Sequence, residues 1–195
     1  MKLKEVMDFV DAVKPNTFSN AEKTVWINEV EGMVQTDIML ISENIKAYVY
    51  SKEVSADGIY FPDSATMVLP EQADFIAGEA ITISGLETYA ANNTSAGIEI
   101  LSVSEDGKEL SFAEGTFTDT GEEGDSGTAT VSFDGSGAEL LVAPPFDKLY
   151  RAYLAAQIDF WQGEYDKYNN TMQLFNSQYA EYTGWYADRY APADI

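Results

Sequence analysis

The chain has 195 residues, with 11 basic and 33 acidic side chains, a formal net charge of −22, and neither His nor Cys. This composition excludes disulfides, thiolate or imidazole metal sites, cysteine nucleophiles and the Ser-His-Asp triad. The charge argues against a surface that grips nucleic-acid phosphates or anionic membranes, because both require a basic footprint. An apolar fraction of 45% and an aromatic fraction of 13% predict a folded protein of one or two domains.

Residues 1–51 show helical periodicity. A first helix is predicted from a stripe at spacings of three and four that stops before Pro15: Leu3, Val6, Met7, Val10 and Val13. A capping box of Ser19 and Glu22 predicts a second helix that runs to about Leu40, with Val25 on its apolar stripe. Residues 45–50 alternate as a strand.

Gly32 interrupts the second helix at a cost of ~1 kcal/mol relative to Ala. It either permits a close helix contact or is simply tolerated.

Residues 52–137 are a series of short strands separated by turn residues. The strands are predicted at 58–61, 66–69, 80–84, 98–103, 109–112 and 128–133, and Asp106-Gly107 predicts a hairpin turn. This pattern is typical of a small antiparallel β-barrel or sandwich. The segment holds two lysines against 17 acidic residues, a net charge of −15.

Residues 138–195 return to helical periodicity. A strand at 140–142 is predicted to pair with 45–50, a helix begins near Phe146, and Gly163 separates it from a last helix that ends at Pro192. Two strands that flank the middle segment are typical of a domain inserted into a loop. The predicted fold class is therefore α+β. About four helices with a short β-hairpin form a core at 1–51 and 138–195, interrupted by the β insertion at 52–137.

No pattern in the sequence indicates an active site. The many carboxylates offer the paired acids that glycosidases use, but no pair carries a supporting motif, and a solvated surface is the simpler interpretation. Asp119 and Glu122–Asp125 could ligate calcium, but they lack EF-hand spacing and favour a flexible acidic hairpin tip. The sequence predicts no enzyme activity, no metal and no cofactor.

Aromatic side chains crowd the last helices in a stripe that is too broad for one thin face. Some must be intramolecular core, but Tyr and Trp are also enriched at interfaces, so we expect a second surface covered by a neighbour. The interface candidates are Trp26, Tyr150, Tyr153, Trp161, Tyr165, Tyr168, Phe175, Tyr179, Tyr182, Trp185, Tyr186 and Tyr190.

The helical flanks resemble head–tail connector (adaptor) proteins of long-tailed bacteriophages. The first matching block is 18–41, which contains the run from Trp26 to Leu40, and the second comprises 139–150, 158–160 and 163–176. The flanks amount to about 109 of the 195 residues. The middle segment loosely resembles β modules that recur as insertions in phage virion proteins.

The resemblance implies a structural virion protein, made in the host bacterial cytoplasm and located at the head–tail neck. It implies a homo-oligomeric ring, twelve copies in the family, below the portal protein, which extends the DNA channel and docks tail-side stopper or terminator proteins. Double-stranded DNA would pass through without specific binding. No apolar run approaches the ~18–20 residues that cross a bilayer, and the N-terminus lacks a secretory signal, so no membrane partner is expected.

Two other function classes remain open from the sequence. In the first, the β insertion is an adhesion or decoration module that binds a glycan or protein, carried on a helical stalk. In the second, the chain is a carboxylate-based hydrolase.

Overall fold

The computed structural model describes residues 1–190 and confirms the α+β class. The chain divides into two compact units. The helical unit comprises Met1–Tyr50 and the chain from Gly135 onward, and the β unit comprises Ser51–Asp134. Each unit has its own cluster of buried apolar side chains.

The helical unit contains four α-helices in the described residues: α1 (Leu3–Val13), α2 (Asn20–Met33), α3 (Lys148–Trp161) and α4 (Tyr165–Tyr190). Ser19 Oγ accepts the Glu22 N–H at 3.2 Å and the Glu22 carboxylate accepts the Ser19 N–H at 2.8 Å, so the capping box forms as predicted. A π-helical turn (Val34–Ile38) extends α2 almost to the predicted end. The predicted end of α4 at Pro192 lies outside the described residues.

Two residues of the predicted apolar stripes are exposed. Val13, on α1, is 65% exposed and Val25, on α2, is 58% exposed. The spacing of both residues fits the helix period, but each lies at the margin of its stripe, where no neighbouring helix within residues 1–190 covers it. Gly32 has open space around it, so close helix contact does not explain this glycine.

The predicted strand pair at 45–50 and 140–142 does not form. Two amide side chains bind the first segment instead: Gln35 of the π-helical turn binds the backbone of Lys46, and Asn28 of α2 binds the backbone of Tyr48, each through one donor and one acceptor bond. A side-chain amide presents the same donor and acceptor pair as a neighbouring strand, so it satisfies this backbone without a sheet.

The second segment is likewise bonded to groups other than a strand. Leu140 N–H donates to Met1 O at 3.1 Å, Leu141 N–H donates to Glu31 Oε1 at 3.1 Å and Val142 N–H donates to Tyr150 Oη at 3.0 Å. These three partners come from the N-terminus, α2 and α3. The short β-hairpin predicted for the helical core is therefore replaced by side-chain and terminal contacts.

The β unit contains eight strands in two four-stranded antiparallel sheets. They are β1 (Ser51–Asp57), β2 (Tyr60–Asp63), β3 (Thr66–Val68), β4 (Ala80–Ser84), β5 (Thr94–Glu99), β6 (Ser102–Val103), β7 (Glu109–Ser111) and β8 (Thr128–Asp134). The strand orders are β1-β8-β4-β5 and β2-β3-β7-β6. Buried residues of both sheets form one shared core, so residues 51–134 adopt two layers and not a closed barrel.

The strand predicted at 98–103 is in fact two strands. β5 ends at Glu99 in one sheet, Ile100 is buried, and β6 begins at Ser102 in the other sheet. The hairpin predicted at Asp106-Gly107 joins β6 to β7, with Gly107 at φ +69°, a left-handed conformation that glycine adopts readily.

Candidate functional site: aromatic surfaces of the helical unit

Five of the twelve interface candidates lie in the core of the helical unit. Their side chains are buried against the helices of the same chain: Trp26, Tyr150, Tyr153, Phe175 and Tyr182. Three more are half-buried, namely Tyr168, Tyr179 and Tyr186. Trp161, Tyr165, Trp185 and Tyr190 are exposed. The aromatic stripe therefore serves both the core and the surface, and these four residues mark the parts of it that reach solvent.

The first exposed group surrounds the turn between α3 and α4, and we call it the turn surface: Val25, Phe160, Trp161 and Tyr165. The Phe160 ring contacts the rings of Trp161 and Tyr165 edge to face, at centroid distances of 5.5 and 5.9 Å. Gly163, at φ +79°, provides the left-handed residue that reverses the chain here. A shallow cavity of about 250 Å³ opens beside Trp161, lined also by Phe18, Glu22, Val25 and Trp26.

The second exposed group lies where the last turns of α4 meet the end of the π-helical turn, and we call it the end surface: Leu40, Ile41, Trp185 and Tyr190. Leu40 has φ 57° and is 79% exposed, so its side chain is held out in solvent. A groove of about 360 Å³ separates residues 37–40 from Thr183, Tyr186, Ala187 and Tyr190. Stacking of Trp185 on Tyr182 at 5.9 Å ties this surface to the core.

The two surfaces lie at opposite ends of α4. The turn surface includes Tyr165 at the first residue of α4, and the end surface includes Tyr190 at its last described residue. A helix of 26 residues is about 39 Å long at 1.5 Å per residue. The helical unit therefore presents two chemically similar but spatially separate apolar surfaces.

Buried ion pairs fix the helices that carry the turn surface. Lys14, just after α1, pairs with the buried Asp159 of α3, and Asp159 also accepts from Thr171 of α4 at 3.3 Å. Lys23 of α2 is buried and pairs with Asp11 of α1 at 2.6 Å. Breaking such a buried pair leaves an uncompensated charge, which is strongly destabilising. These ion pairs therefore hold in place the helices that carry the turn surface.

A buried carboxylate joins α2 to the chain that enters α3. Glu31 is fully buried, and its Oε1 accepts hydrogen bonds from Tyr150 Oη and the Leu141 N–H. Its Oε2 has no hydrogen-bond partner among residues 1–190. Burial raises the pKa of Glu31, against the lowering effect of the Tyr150 and Leu141 bonds and of Lys46. Burial first and the Glu31 charge second also raise the pKa of Tyr150, so its phenol stays protonated and donates.

Tyr179 shows the same behaviour next to the end surface. Burial, together with Asp37, raises the pKa of Tyr179 to about 12. Its hydroxyl donates to Met33 O at 3.1 Å. Tyr150 and Tyr179 are therefore neutral hydrogen-bond donors that link one element of the helical unit to another.

The acidic loop considered for calcium is hydrogen-bonded at both of its ends to other segments of the β unit. Asp125 is buried, and its carboxylate accepts the backbone N–H groups of Glu87 (3.0 Å), Tyr89 (2.9 Å) and Gly127 (2.8 Å). Asn92 bonds Thr118 and Asp119 at the start of the loop. Within residues 1–190, no group of three or more acidic side chains is arranged to hold a metal ion.

The sequence did not indicate Leu40 and Ile41 as surface residues, because the predicted helix runs to about Leu40 and Ile41 follows it directly. Their exposure follows from the left-handed Leu40 backbone, which turns the chain away from the helix. Non-Gly residues rarely adopt this conformation, and nothing in the residue type signals it.

No family model and no curated protein matches this chain. A solved structure, "Phage phi92 endosialidase", matches with a TM-score of 0.34 and 10% sequence identity, over 48% of this chain and 15% of that chain. The chain thus spans about a seventh of that protein's length, and a TM-score of this size does not establish a shared fold. Along the described part of the chain, no helix is both long enough and apolar enough to cross a membrane.

Proposed function

We propose that this chain is a non-enzymatic structural protein of a bacteriophage virion, whose copies form a ring at the head–tail connector below the portal. The observation that carries the proposal is the pair of separate apolar surfaces at the two ends of α4. A closed ring uses heterologous contacts, in which each copy presents two different faces to its two neighbours. The turn surface and the end surface supply two such faces.

The resemblance of the flanking blocks to connector proteins supports a location at the head–tail connector. The negative charge supports a channel through which DNA passes without specific binding. A channel that DNA slides through must not grip phosphates, and acidic side chains on its wall repel the backbone. The helical unit has nine basic and 16 acidic residues, so it is itself acidic. In this proposal the ring has twelve copies, the portal protein lies on one side, and stopper or terminator proteins lie on the other.

The experiment is a mass measurement of the full chain, alone and with the portal protein of the same virus, together with cryo-electron microscopy of the virion neck. Trp161→Ala with Tyr165→Ala should abolish ring formation, because it removes most of the turn surface. Leu174→Ala is the matched control, since Leu174 is exposed on the middle of α4 and belongs to neither surface. Absence of the chain from purified virions would contradict the proposal. A monomer in dilute solution would not, because rings of this kind can require the portal.

A second candidate function rests on the outer face of β1, β8 and β4. Alternate residues there are hydroxylated, and Ser55 Oγ and Thr130 Oγ1 lie 3.1 Å apart, so the face could bond a glycan or a protein as an adhesion or decoration module. Five large rings of this unit, among them Phe61, Tyr89 and Phe117, are buried in its core. They are not available as stacking platforms for sugars. A glycan array probed with the full chain separates this function from the connector.

A further inference from the structure

The four edge strands of the β unit differ in how they are protected. β6 is two residues long, and β2 contains Pro62 and is bridged to Gly121 through Phe61. β5 has an irregular register against β4, and Thr94 Oγ1 bonds the backbone of Ala96. Short length, proline, bulges and local capping are the devices by which proteins keep edge strands from pairing with other chains.

β1 has none of these devices. All seven of its residues pair in continuous antiparallel register with β8, from Ser51 opposite Asp134 to Asp57 opposite Thr128. Within residues 1–190, no strand pairs with the other edge of β1, and no backbone hydrogen bond joins residues 51–57 to any segment but β8. In an antiparallel edge strand, alternate N–H and C=O groups point away from the neighbour. β1 therefore offers a straight row of free backbone donors and acceptors.

The lysine of this strand does not protect its free edge from pairing with another chain. Lys52 is held by Glu79 Oε1 at 2.7 Å and by Asp74 O, and it lies 5.8 Å from the centre of the Phe133 ring. Its charge is thus neutralised within the unit. The exposed charged side chains of β1 are Glu53 and Asp57, both acidic.

A groove runs beside this edge. It has a volume of about 360 Å³ and is lined by Val54–Asp57 on one side and by Pro70, Glu71 and Gln72 on the other. Val54 and Ala56 pack against the core and Pro70 is apolar, so the groove combines apolar lining with an acidic rim. The whole unit holds two lysines and 17 acidic residues, so association with a basic chain is favoured and association with a second acidic copy is opposed.

We propose that the free edge of β1 is a docking site for an extended, basic peptide segment of another protein. The segment adds a fifth strand to the β1-β8-β4-β5 sheet. Backbone hydrogen bonds to residues 51–57 provide the affinity. Alternate side chains provide the selection: apolar ones face the groove beside Val54 and Ala56, and lysines or arginines meet Glu53, Asp57 and Glu71. This proposal does not depend on the connector function.

The test uses the full chain and three capped seven-residue peptides. The first alternates lysine and valine, the second replaces each lysine with glutamate, and the third is the lysine peptide with every backbone nitrogen methylated. Binding is measured by titration, and amide hydrogen exchange of residues 51–57 is followed in parallel. We expect the first peptide to bind and to slow exchange at alternate residues of β1. The glutamate peptide should bind at least about tenfold more weakly, and the methylated one should not bind.

Two double variants test the charge component on the protein. Glu53→Lys with Asp57→Lys should lower the affinity for the lysine peptide by about two- to thirtyfold, because the variant loses two exposed ion pairs. Glu99→Lys with Glu114→Lys makes the same change in net charge at exposed positions, one on the opposite edge strand β5 and one beside the turn between β2 and β3, and should leave binding nearly unchanged.

Several results would overturn the proposal. Equal binding of the lysine and glutamate peptides would show that the site does not select a basic partner. Retained binding of the methylated peptide would show that the peptide does not pair with β1 through backbone hydrogen bonds. Unchanged exchange in β1 on saturation would place the peptide elsewhere. Protection of residues 51–57 that rises with protein concentration in the absence of peptide would assign the edge to a second copy of the chain.

Discussion

Asp125 of the β unit and Glu31 of the helical unit are both buried carboxylates, and their pKa values are shifted in opposite directions. Asp125 in the β unit is 4% exposed and Glu31 in the helical unit is fully buried. Burial acts to raise the pKa of Asp125, but the N–H groups of Glu87, Tyr89 and Gly127 outweigh it and hold that pKa below its usual value. Glu31 has one oxygen without a partner, and its pKa is raised.

The comparison shows that burial alone does not determine the charge state of a carboxylate. Between these two carboxylates, the number of hydrogen-bond donors that reach the oxygens decides the direction of the pKa shift. In the β unit, two segments of the chain, one at residues 87–89 and one at Gly127, deliver three backbone donors to one side chain. In the helical unit, the Leu141 N–H and the Tyr150 hydroxyl both donate to the same oxygen of Glu31.

The largest effect is expected from Asp125→Ala. The substitution removes the acceptor of three buried N–H groups at once, and we expect a loss of about 3 kcal/mol in the free energy of unfolding of the β unit. Chemical denaturation followed by a signal from this unit measures it. Asp125→Asn is the control, because it keeps one acceptor oxygen and should lose less. A loss equal to that of the alanine variant would mean that the acceptor oxygens are unimportant.

Glu31→Gln should raise the free energy of unfolding, whereas Asp125→Ala should lower it. The variant keeps Oε1 as the acceptor for Tyr150 and Leu141 and removes a charge that is poorly compensated, so we expect a gain of about 1 kcal/mol at neutral pH. Glu31→Ala should destabilise instead, because it leaves both donors unpaired. If the glutamine variant unfolds as easily as the alanine variant, the charge itself is needed.

The pH dependence separates the two sites. The pKa of Asp125 is lowered in the fold, so its contribution is present above its ordinary pKa of 3.8 and is lost as the pH falls below it. The pKa of Glu31 is raised, so its contribution is present below its ordinary pKa of 4.5 and is lost as the pH rises through the folded value. Melting temperatures of Asp125→Asn and Glu31→Gln against pH should diverge from the parent chain in these two separate windows. If the melting temperatures of both variants run parallel to those of the parent chain at every pH, the two carboxylates do not differ as stated.

The smallest effect is expected from Gly32→Ala, which changes the backbone beside Glu31 without changing charge. A methyl group at Gly32 meets open space, and alanine is the better helix former, so we expect a gain of at most about 1 kcal/mol. Thermal unfolding measures it. A loss of stability would indicate that the junction between α2 and the π-helical turn requires glycine, and it would complicate the interpretation of Glu31→Gln.

Local signals in the sequence determined much of the secondary structure. The Ser19–Glu22 capping box, the stop near Pro15 and the Asp106-Gly107 hairpin are contacts between residues a few positions apart, and the structure contains all three. The α+β class follows from the same information, because a period of 3.6 in the flanks and of 2 in the middle is a property of short windows.

The tertiary structure alone decided which groups meet across the chain. The sequence could not show that Asn28 and Gln35 would bind the 45–50 segment in place of a strand, or that β1, whose side chains alternate only weakly in polarity, would be an edge. Nor could it divide the aromatic residues, so that Tyr150 is buried while Trp161 and Tyr190 reach solvent. Periodicity assigns a residue to one face of an element, but the neighbour that covers that face comes from a distant part of the chain.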